Sequence, residues 1–150
     1  MNAELVEQTR RWLEDMLSFF EVNAKVTACV EGDAIELEVE ADGGGRLIGH
    51  RGENLAAMQH MLNMLVRQRT EERIYVHVDI GGYRQARLEK LMEQAQAAAD
   101  KAKADGEEVV LPMMNAAERR HIHSLMTDVE GVTTESRGDG NRRRLVVKPA

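Results

Sequence analysis

The sequence is poor in aromatic side chains. It has one tryptophan, two tyrosines and two phenylalanines among 150 residues. Proteins that read bases on an aromatic stacking platform, as RRM and OB folds do, place several such rings on one surface. The low aromatic content therefore argues against that mode of recognition. Trp12 lies in the apolar stripe of a predicted helix, so we expect it to pack in the core.

Cysteine is nearly absent as well. The single thiol, Cys29, excludes an internal disulfide framework and fits a reducing cytosol, so we expect a cytoplasmic protein. Cys29 lies in an alternating predicted strand, where a small buried side chain is the favoured interpretation over a nucleophile. His121 and His123 would lie about 200° apart around a helix, which is poor geometry for a shared ligand. We therefore predict no metal site.

The sequence also lacks any apolar run of about 18 residues, the length that indicates a membrane-spanning helix. Residues 1–11 are polar and mix acids with bases, unlike a signal peptide. We expect no stable insertion into a membrane.

Positive charge is in deficit overall but not everywhere. The net charge of −6 argues against a generally adhesive nucleic-acid binder. Residues 116–150 nevertheless carry seven Lys or Arg against five Asp or Glu, so the C-terminal part is the more basic one.

The most informative stretch present is Ile48-Gly49-His50-Arg51-Gly52. It follows a strand-like alternation in residues 36–41 and precedes residues 53–68, whose apolar positions recur at helical spacing. Glycines let a backbone approach a ligand closely, and the start of a helix attracts anions, so the stretch can hold a phosphate. Taken alone, it is also typical of an ordinary glycine-rich turn that caps a helix.

The elements around this loop give it a context. We predict a helix over residues 3–22, strands over 25–30 and 34–40, a helical turn over 45–48, and a strand over 74–80. With the order α-β-β-α-α-β, residues 1–80 resemble a type II KH domain. The resemblance implies that the loop clamps about four nucleotides of single-stranded RNA or DNA beside an apolar groove. Leu47 and Ile48 would line that groove, and Gly49, His50, Arg51 and Gly52 would hold phosphates.

A second pattern occupies the C-terminal third. Asn115 and Glu118 have capping-box spacing, and Arg119 and His123 follow on one helix face. Residues 133–137 and 143–147 read as strands around a turn at 138–141. An isolated Arg-x3-His is more simply a polar pair on a solvated helix. With its surroundings it resembles an R-three-H domain, which implies a second phosphate surface formed by Arg119, His123, Arg142, Arg143 and Arg144.

The two patterns are joined by a predicted helix over residues 83–104 that opens with Tyr83-Arg84-x-x-Arg87. Arg84, Arg87 and Arg120 are secondary candidates for phosphate contact. We predict an α+β protein with a KH domain at 1–80, a linking helix at 81–106, and an R-three-H domain with a short mixed sheet at 107–150. This arrangement resembles the Jag (SpoIIIJ-associated) family of bacteria, in a short form without the N-terminal Jag module.

The family resemblance implies a cytoplasmic RNA-binding protein that acts post-transcriptionally in cell elongation and division, with a small KH-domain protein as partner. Single-stranded DNA is an alternative ligand. The alternative function is a protein-interaction scaffold whose GxxG loop is structural and whose RNA affinity is incidental. The sequence shows no P-loop, no cluster of metal-binding acids and no recognisable nucleophile–base arrangement, so we predict neither an enzyme nor a cofactor.

Overall fold

The computed structural model describes residues 1–150, apart from the side chain of Asn141. The chain divides into two compact units, Met1–Arg84 and Gln85–Ala150. The first unit contains α1 (Ala3–Ser18), β1 (Ala24–Glu31), β2 (Ala34–Ala41), α2 (Gly45–Ile48), α3 (Glu53–Arg69) and β3 (Tyr75–Ile80). The second contains most of α4 (Tyr83–Asp105), then β4 (Val109–Val110), α5 (Ala116–Thr127), β5 (Val132–Arg137) and β6 (Arg144–Pro149).

The sheet of the first unit has the order β1-β2-β3 and carries α1 and α3. β1 and β2 form an antiparallel hairpin, whereas β3 runs parallel to β2 with Leu37 opposite Val78. In β2, the predicted alternation is confirmed, because Ile35, Leu37 and Val39 are buried while Glu38 and Glu40 are exposed. The element order α-β-β-α-α-β is the predicted one.

The first helix ends earlier than expected. We predicted residues 3–22, but α1 ends at Ser18, and Glu21 adopts a left-handed backbone with φ 54°. This turn directs the chain into β1. It also leaves Phe19 86% exposed, although Leu13 and Leu17 of the same helix are buried.

Cys29 corrects another expectation. We predicted a buried side chain, but the structure places Cys29 on the surface. The strand register explains the error, since Ala28 pairs with Leu37 and shares its core-facing side, whereas Cys29 pairs with Glu36 on the opposite side. Alternation alone indicated that one of the two residues is buried, without saying which.

The second unit has its own core, built between α4, α5 and the three-stranded sheet β4-β6-β5. Small side chains of α4 fill it, including Ala95, Ala99 and Ala102, so most of this helix belongs to the second core. Both strand pairings are antiparallel. The strand β4 has only two residues, because Pro112 soon after it has no N–H with which to continue the ladder.

The predicted capping box of α5 is confirmed. Asn115 accepts a hydrogen bond from the Glu118 N–H at 2.8 Å, and the Asn115 N–H donates to the Glu118 carboxylate at 2.9 Å. In the part of the chain that the structure describes, no helix is long and apolar enough to cross a membrane.

The exposure of Cys29 gives a direct test of the strand register. We expect a thiol reagent such as dithionitrobenzoate to label the native protein at about the rate seen for an unhindered thiol, because no side chain of the core covers the sulfur. Absorbance of the released thiolate measures the reaction. Labelling that occurs only after denaturant is added would contradict the register.

Candidate nucleic-acid interface

The loop between α2 and α3 has an unusual backbone. Gly49, Arg51 and Gly52 have φ values of 75°, 55° and 77°, and the Gly52 N–H donates to the Gly49 carbonyl at 3.2 Å. The loop thereby turns the chain from one helix into the next within a few residues. His50 and Arg51 lie exposed at its tip.

The two glycines are required by packing as well as by backbone conformation. A Cβ at Gly52 would lie 2.9 Å from Cε1 of Tyr83, and one at Gly49 would lie 2.7 Å from Cγ of Asn54. The Asn54 amide in turn donates to the Arg46 carbonyl at 3.0 Å. Tyr83 and Asn54 therefore support the loop from within, a role that spacing along the sequence did not reveal.

The start of α3 faces this loop. Gly52 precedes the helix and has no side chain with which to cap its first N–H groups. Such a helix start carries a partial positive charge and can accept an anion. Together with the His50 and Arg51 side chains, the first N–H groups of α3 place several hydrogen-bond donors at one point of the first unit.

The structure separates the two apolar residues that we predicted beside bases. Leu47 is completely buried, so in this structure it supports the loop from the core and cannot touch a ligand. Ile48 is half-buried at the edge of the same core. Of the two residues, only Ile48 has exposed surface that a ligand could contact.

A polar groove of about 380 Å³ lies between α3 and the edge strand β3. No sequence motif marks it, although its helical residues recur at spacings of three and four along α3. Tyr75 contributes an aromatic side chain that is 42% exposed. The lining residues are Ala56, Gln59, His60, Asn63, Arg67, Tyr75, Val76 and His77.

Two side-chain amides of this groove bond to the backbone of β3. Asn63 donates to the Val76 carbonyl at 2.8 Å and accepts from the Val76 N–H at 2.9 Å. Oε1 of Gln59 accepts from the Val78 N–H at 2.9 Å. We call Asn63 and Gln59 the amide pair. It supplies the hydrogen bonds that a further strand would otherwise provide.

Arg84, a secondary candidate for phosphate contact, is engaged inside the first unit. Its guanidinium donates to the Gln59 side chain, and its backbone N–H donates to the Asp79 carboxylate. Arg87 is engaged in the second unit, where it pairs with Glu118 at 2.9 Å and donates to the Met113 carbonyl at 2.9 Å. Both arginines hold structural elements together in this structure.

The Arg-x3-His pair lies on α5 as predicted, but both side chains have partners. Arg119 donates to the Met114 carbonyl, and His123 is hydrogen-bonded through Nδ1 to the Thr134 hydroxyl of β5. Arg119 is half-buried and His123 is exposed. Arg120 is exposed on the neighbouring face of the helix.

The β5–β6 hairpin carries the remaining cations of the second unit's candidate surface. Arg143 donates to the Ser136 hydroxyl at 2.6 Å. Within the described part of the chain, the side chains of Arg142 and Arg144 make no hydrogen bond or ion pair. They are therefore available to a ligand.

Arg137, on the same hairpin, is neutralised by acids. It pairs with Glu108 at 2.8 Å and with Glu135 at 2.9 Å. Hydrogen bonds from Lys148 and Arg137 lower the pKa of the Glu135 carboxyl, and Arg137 lowers the pKa of Glu108. Because two carboxylates already match its charge, Arg137 is not a candidate for phosphate binding.

Metal-binding side chains are not grouped in the described residues, where no three or more His, Cys, Asp or Glu are placed to hold an ion.

Comparison with known proteins identifies the domains that carry the two candidate surfaces. Residues 7–80 match the KH domain of the KhpA/KhpB type, and residues 89–149 match the R-three-H domain. The chain thus combines a KH domain of the KhpA/KhpB type with an R-three-H domain, the arrangement predicted from the Jag resemblance. The candidate loop and groove thus lie in the KH domain, and the α5–hairpin surface lies in the R-three-H domain.

Several curated relatives bear the name RNA-binding protein KhpB. The chain is 26% identical to the protein of Streptococcus pneumoniae over 96% of its own length, and 32% identical to that of Clostridium symbiosum over 86%. The protein of Bacillus subtilis is 24% identical over 95% of this chain. The chain spans 44%, 60% and 69% of these three relatives, respectively.

The packing of Tyr83 against Gly52 predicts that alanine destabilises the KH domain more at this position than at a glycine with open space around it. Gly52→Ala should lower the free energy of unfolding by about 1–2 kcal/mol for the left-handed backbone, plus a further ~1–3 kcal/mol for overpacking against the ring. Gly32→Ala is the matched control, since Gly32 has φ 60° and open space around its missing Cβ. Urea denaturation measures both, and equal losses would refute the packing role of Tyr83.

Proposed function

We propose that this chain is a single-stranded RNA-binding protein without catalytic activity. The observation that carries the proposal is the exposed His50–Arg51 tip at the uncapped start of α3, beside the groove along β3. A loop of this kind suits a phosphate backbone, and a groove beside it suits bases. The relatives named RNA-binding protein KhpB support the same conclusion.

In the KH domain, phosphates would meet the backbone around Gly49 and Gly52 together with the His50 and Arg51 side chains. The absence of a Cβ at the glycines lets the ligand approach, while Ile48 supplies apolar surface nearby. Leu47 supports the loop from the core and does not contact the ligand, because it is buried.

In the R-three-H domain, a second phosphate surface would combine the α5 pair with the hairpin arginines. Arg119 uses one donor on the Met114 carbonyl, and a guanidinium has five. His123 bonds Thr134 through Nδ1, which leaves Nε2 for a phosphate. Arg142 and Arg144 add charge, and Arg143 is oriented by Ser136.

The cellular role follows from the family resemblance. We propose post-transcriptional regulation in the cytoplasm, linked to cell elongation and division, with a small KH-domain protein as partner. Crosslinking in living cells followed by sequencing of the attached RNA would test this role. Recovery of no RNA above a strain that lacks the protein would count against it.

One observation favours the alternative function of an interaction scaffold. Met61 and Met64, three residues apart on α3, are 53% and 49% exposed, and the net charge of −6 disfavours a polyanion. Exposed methionines adapt to varied protein partners. The two functions can be distinguished by measuring affinity for RNA. In an RNA-binding protein this affinity should depend on the loop, and in a scaffold it should not.

Reversing the charge of the loop tip should weaken binding. We expect His50→Asn with Arg51→Asp to lower affinity for a short single-stranded RNA by about tenfold or more, because a carboxylate replaces a phosphate contact. Asp tolerates the left-handed backbone at Arg51 better than Arg does, so the fold should be retained. Fluorescence anisotropy measures affinity, and a circular-dichroism melt checks the fold.

Lys90→Glu is the matched control for the loop variant. It changes the net charge by the same two units on an exposed part of α4. The wild-type slope of log K against log salt should be about −2 to −4, and the loop variant should have a shallower slope. Equal affinity of the loop variant and the control would favour the scaffold.

The two domains should cooperate on a long enough strand. If both bind one RNA, linkage raises the effective concentration, and affinity should rise stepwise with RNA length. We expect Arg142→Gln with Arg144→Gln to remove that step while leaving short RNAs unaffected. Lys90→Gln with Lys101→Gln is the control of equal charge. Titrations with RNAs of graded length provide the measurement, and a step that survives in the hairpin variant would show that these arginines do not hold the RNA.

A further inference from the structure

The lining of the β3 groove divides into two sets of polar side chains. Asn63 bonds the strand through both polar atoms of its amide, and Gln59 bonds it through Oε1. The side chains of His60, Arg67 and Tyr75 make no hydrogen bond or ion pair within the described part of the chain. The groove therefore presents unengaged donors and one exposed ring, beside the Asn63 amide, whose two polar atoms are already bonded to the strand.

This division decides which groups can contact a base. An open strand edge would offer a base the N–H and carbonyl of Val76 as a donor and acceptor pair. Here Asn63 occupies both, and Gln59 occupies the N–H of Val78. Backbone readout along this stretch of β3 is thereby blocked, so recognition would have to come from side chains.

We propose that the groove holds a guanine base of single-stranded RNA, stacked on Tyr75 and read by Arg67, with the amide pair closing the strand edge against other bases. The inference rests on the proposed RNA binding and specifies its chemistry. Arg67 and Tyr75 are the contacting residues, and Asn63 is a positioning residue that excludes backbone readout.

The donor set favours guanine. The Arg67 guanidinium has donors only, arranged in a fork that matches the O6 and N7 acceptors of guanine. Adenine and cytosine each present an exocyclic amine, which is a donor and cannot accept a hydrogen bond from the Arg67 guanidinium. His77 contributes no acceptor through Nδ1, because this atom is hydrogen-bonded to Glu36 at 2.6 Å. Tyr75, 42% exposed, supplies a face for stacking.

The test uses uridine decamers that carry one central guanine, adenine or cytosine, with affinities measured by fluorescence anisotropy at fixed salt. We expect the wild-type chain to bind the guanine decamer about tenfold more tightly than the adenine decamer. A decamer with 7-deazaguanine, which lacks N7, should lose much of that advantage.

Arg67→Lys keeps the charge and removes the fork. It should abolish the guanine preference, because it weakens binding of the guanine decamer more than binding of plain oligouridine. Arg11→Lys, on the exposed surface of α1, is the matched control and should keep the preference. Tyr75→Leu should weaken all decamers by about fivefold or more, because stacking accepts any base.

Asn63→Ala tests the closed edge. It should free the backbone of Val76, bring adenine binding closer to guanine binding, and speed amide exchange at Val76. If the alanine variant does not fold, Asn63→Asp keeps the acceptor for the Val76 N–H and frees only the carbonyl, and adenine binding should still gain. Unchanged base preference in a folded Asn63 variant would overturn the role of the amide pair.

The outcomes separate this inference from the proposed function. Equal binding of all decamers by the wild type would overturn guanine recognition and leave RNA binding standing. A guanine preference that survives Arg67→Lys would overturn the assignment of Arg67. Failure to bind any decamer would overturn both proposals together.

Discussion

The left-handed backbone between α2 and α3 is the constraint on which the KH domain depends. Gly49, Arg51 and Gly52 all take positive φ values. Two are glycines, for which this costs little, but Arg51 is not, and the conformation costs an ordinary side chain roughly 1–2 kcal/mol. The space beside the glycines is filled by Tyr83 and Asn54. A strained cation kept at the tip of a well-supported turn is the arrangement expected of a binding loop rather than of a plain connection.

The acidic net charge is compatible with a polyanionic ligand because the charges are sorted by position. Glu38 and Glu40 project from the side of the sheet opposite its core, while His50 and Arg51 occupy the loop tip. Elsewhere, acids are matched locally, as in the cluster around Arg137. Screening limits each such charge to a range of about 10 Å, so a local cationic patch can bind a strand that the distant surface repels. Net charge is therefore a poor guide to this protein, and the placement of a few exposed cations is a better one.

Local patterns predicted the local features of the fold. The GxxG turn, the buried side of β2 and the capping box of α5 each depend on residues a few positions apart, and all are present. The features that were missed depend on distant contacts. Without the strand register, alternation could not show on which side of the sheet Cys29 lies. Helical spacing could not show that Asn63 bonds a strand thirteen residues away. Burial of Leu47 likewise follows from how α2 packs against α3 and the core, and not from the motif that contains it.

The closed edge of β3 also bears on self-association. A sheet grows when the bare edge of one molecule adds to that of another, and repeated growth requires two such edges per molecule. In the KH sheet, Asn63 and Gln59 obstruct one edge, and β1 forms the other. Pairing through β1 would join two copies and then end, since neither copy would present a second free edge. The same two amides that shape the groove thus protect the native protein against extended polymerisation through this sheet.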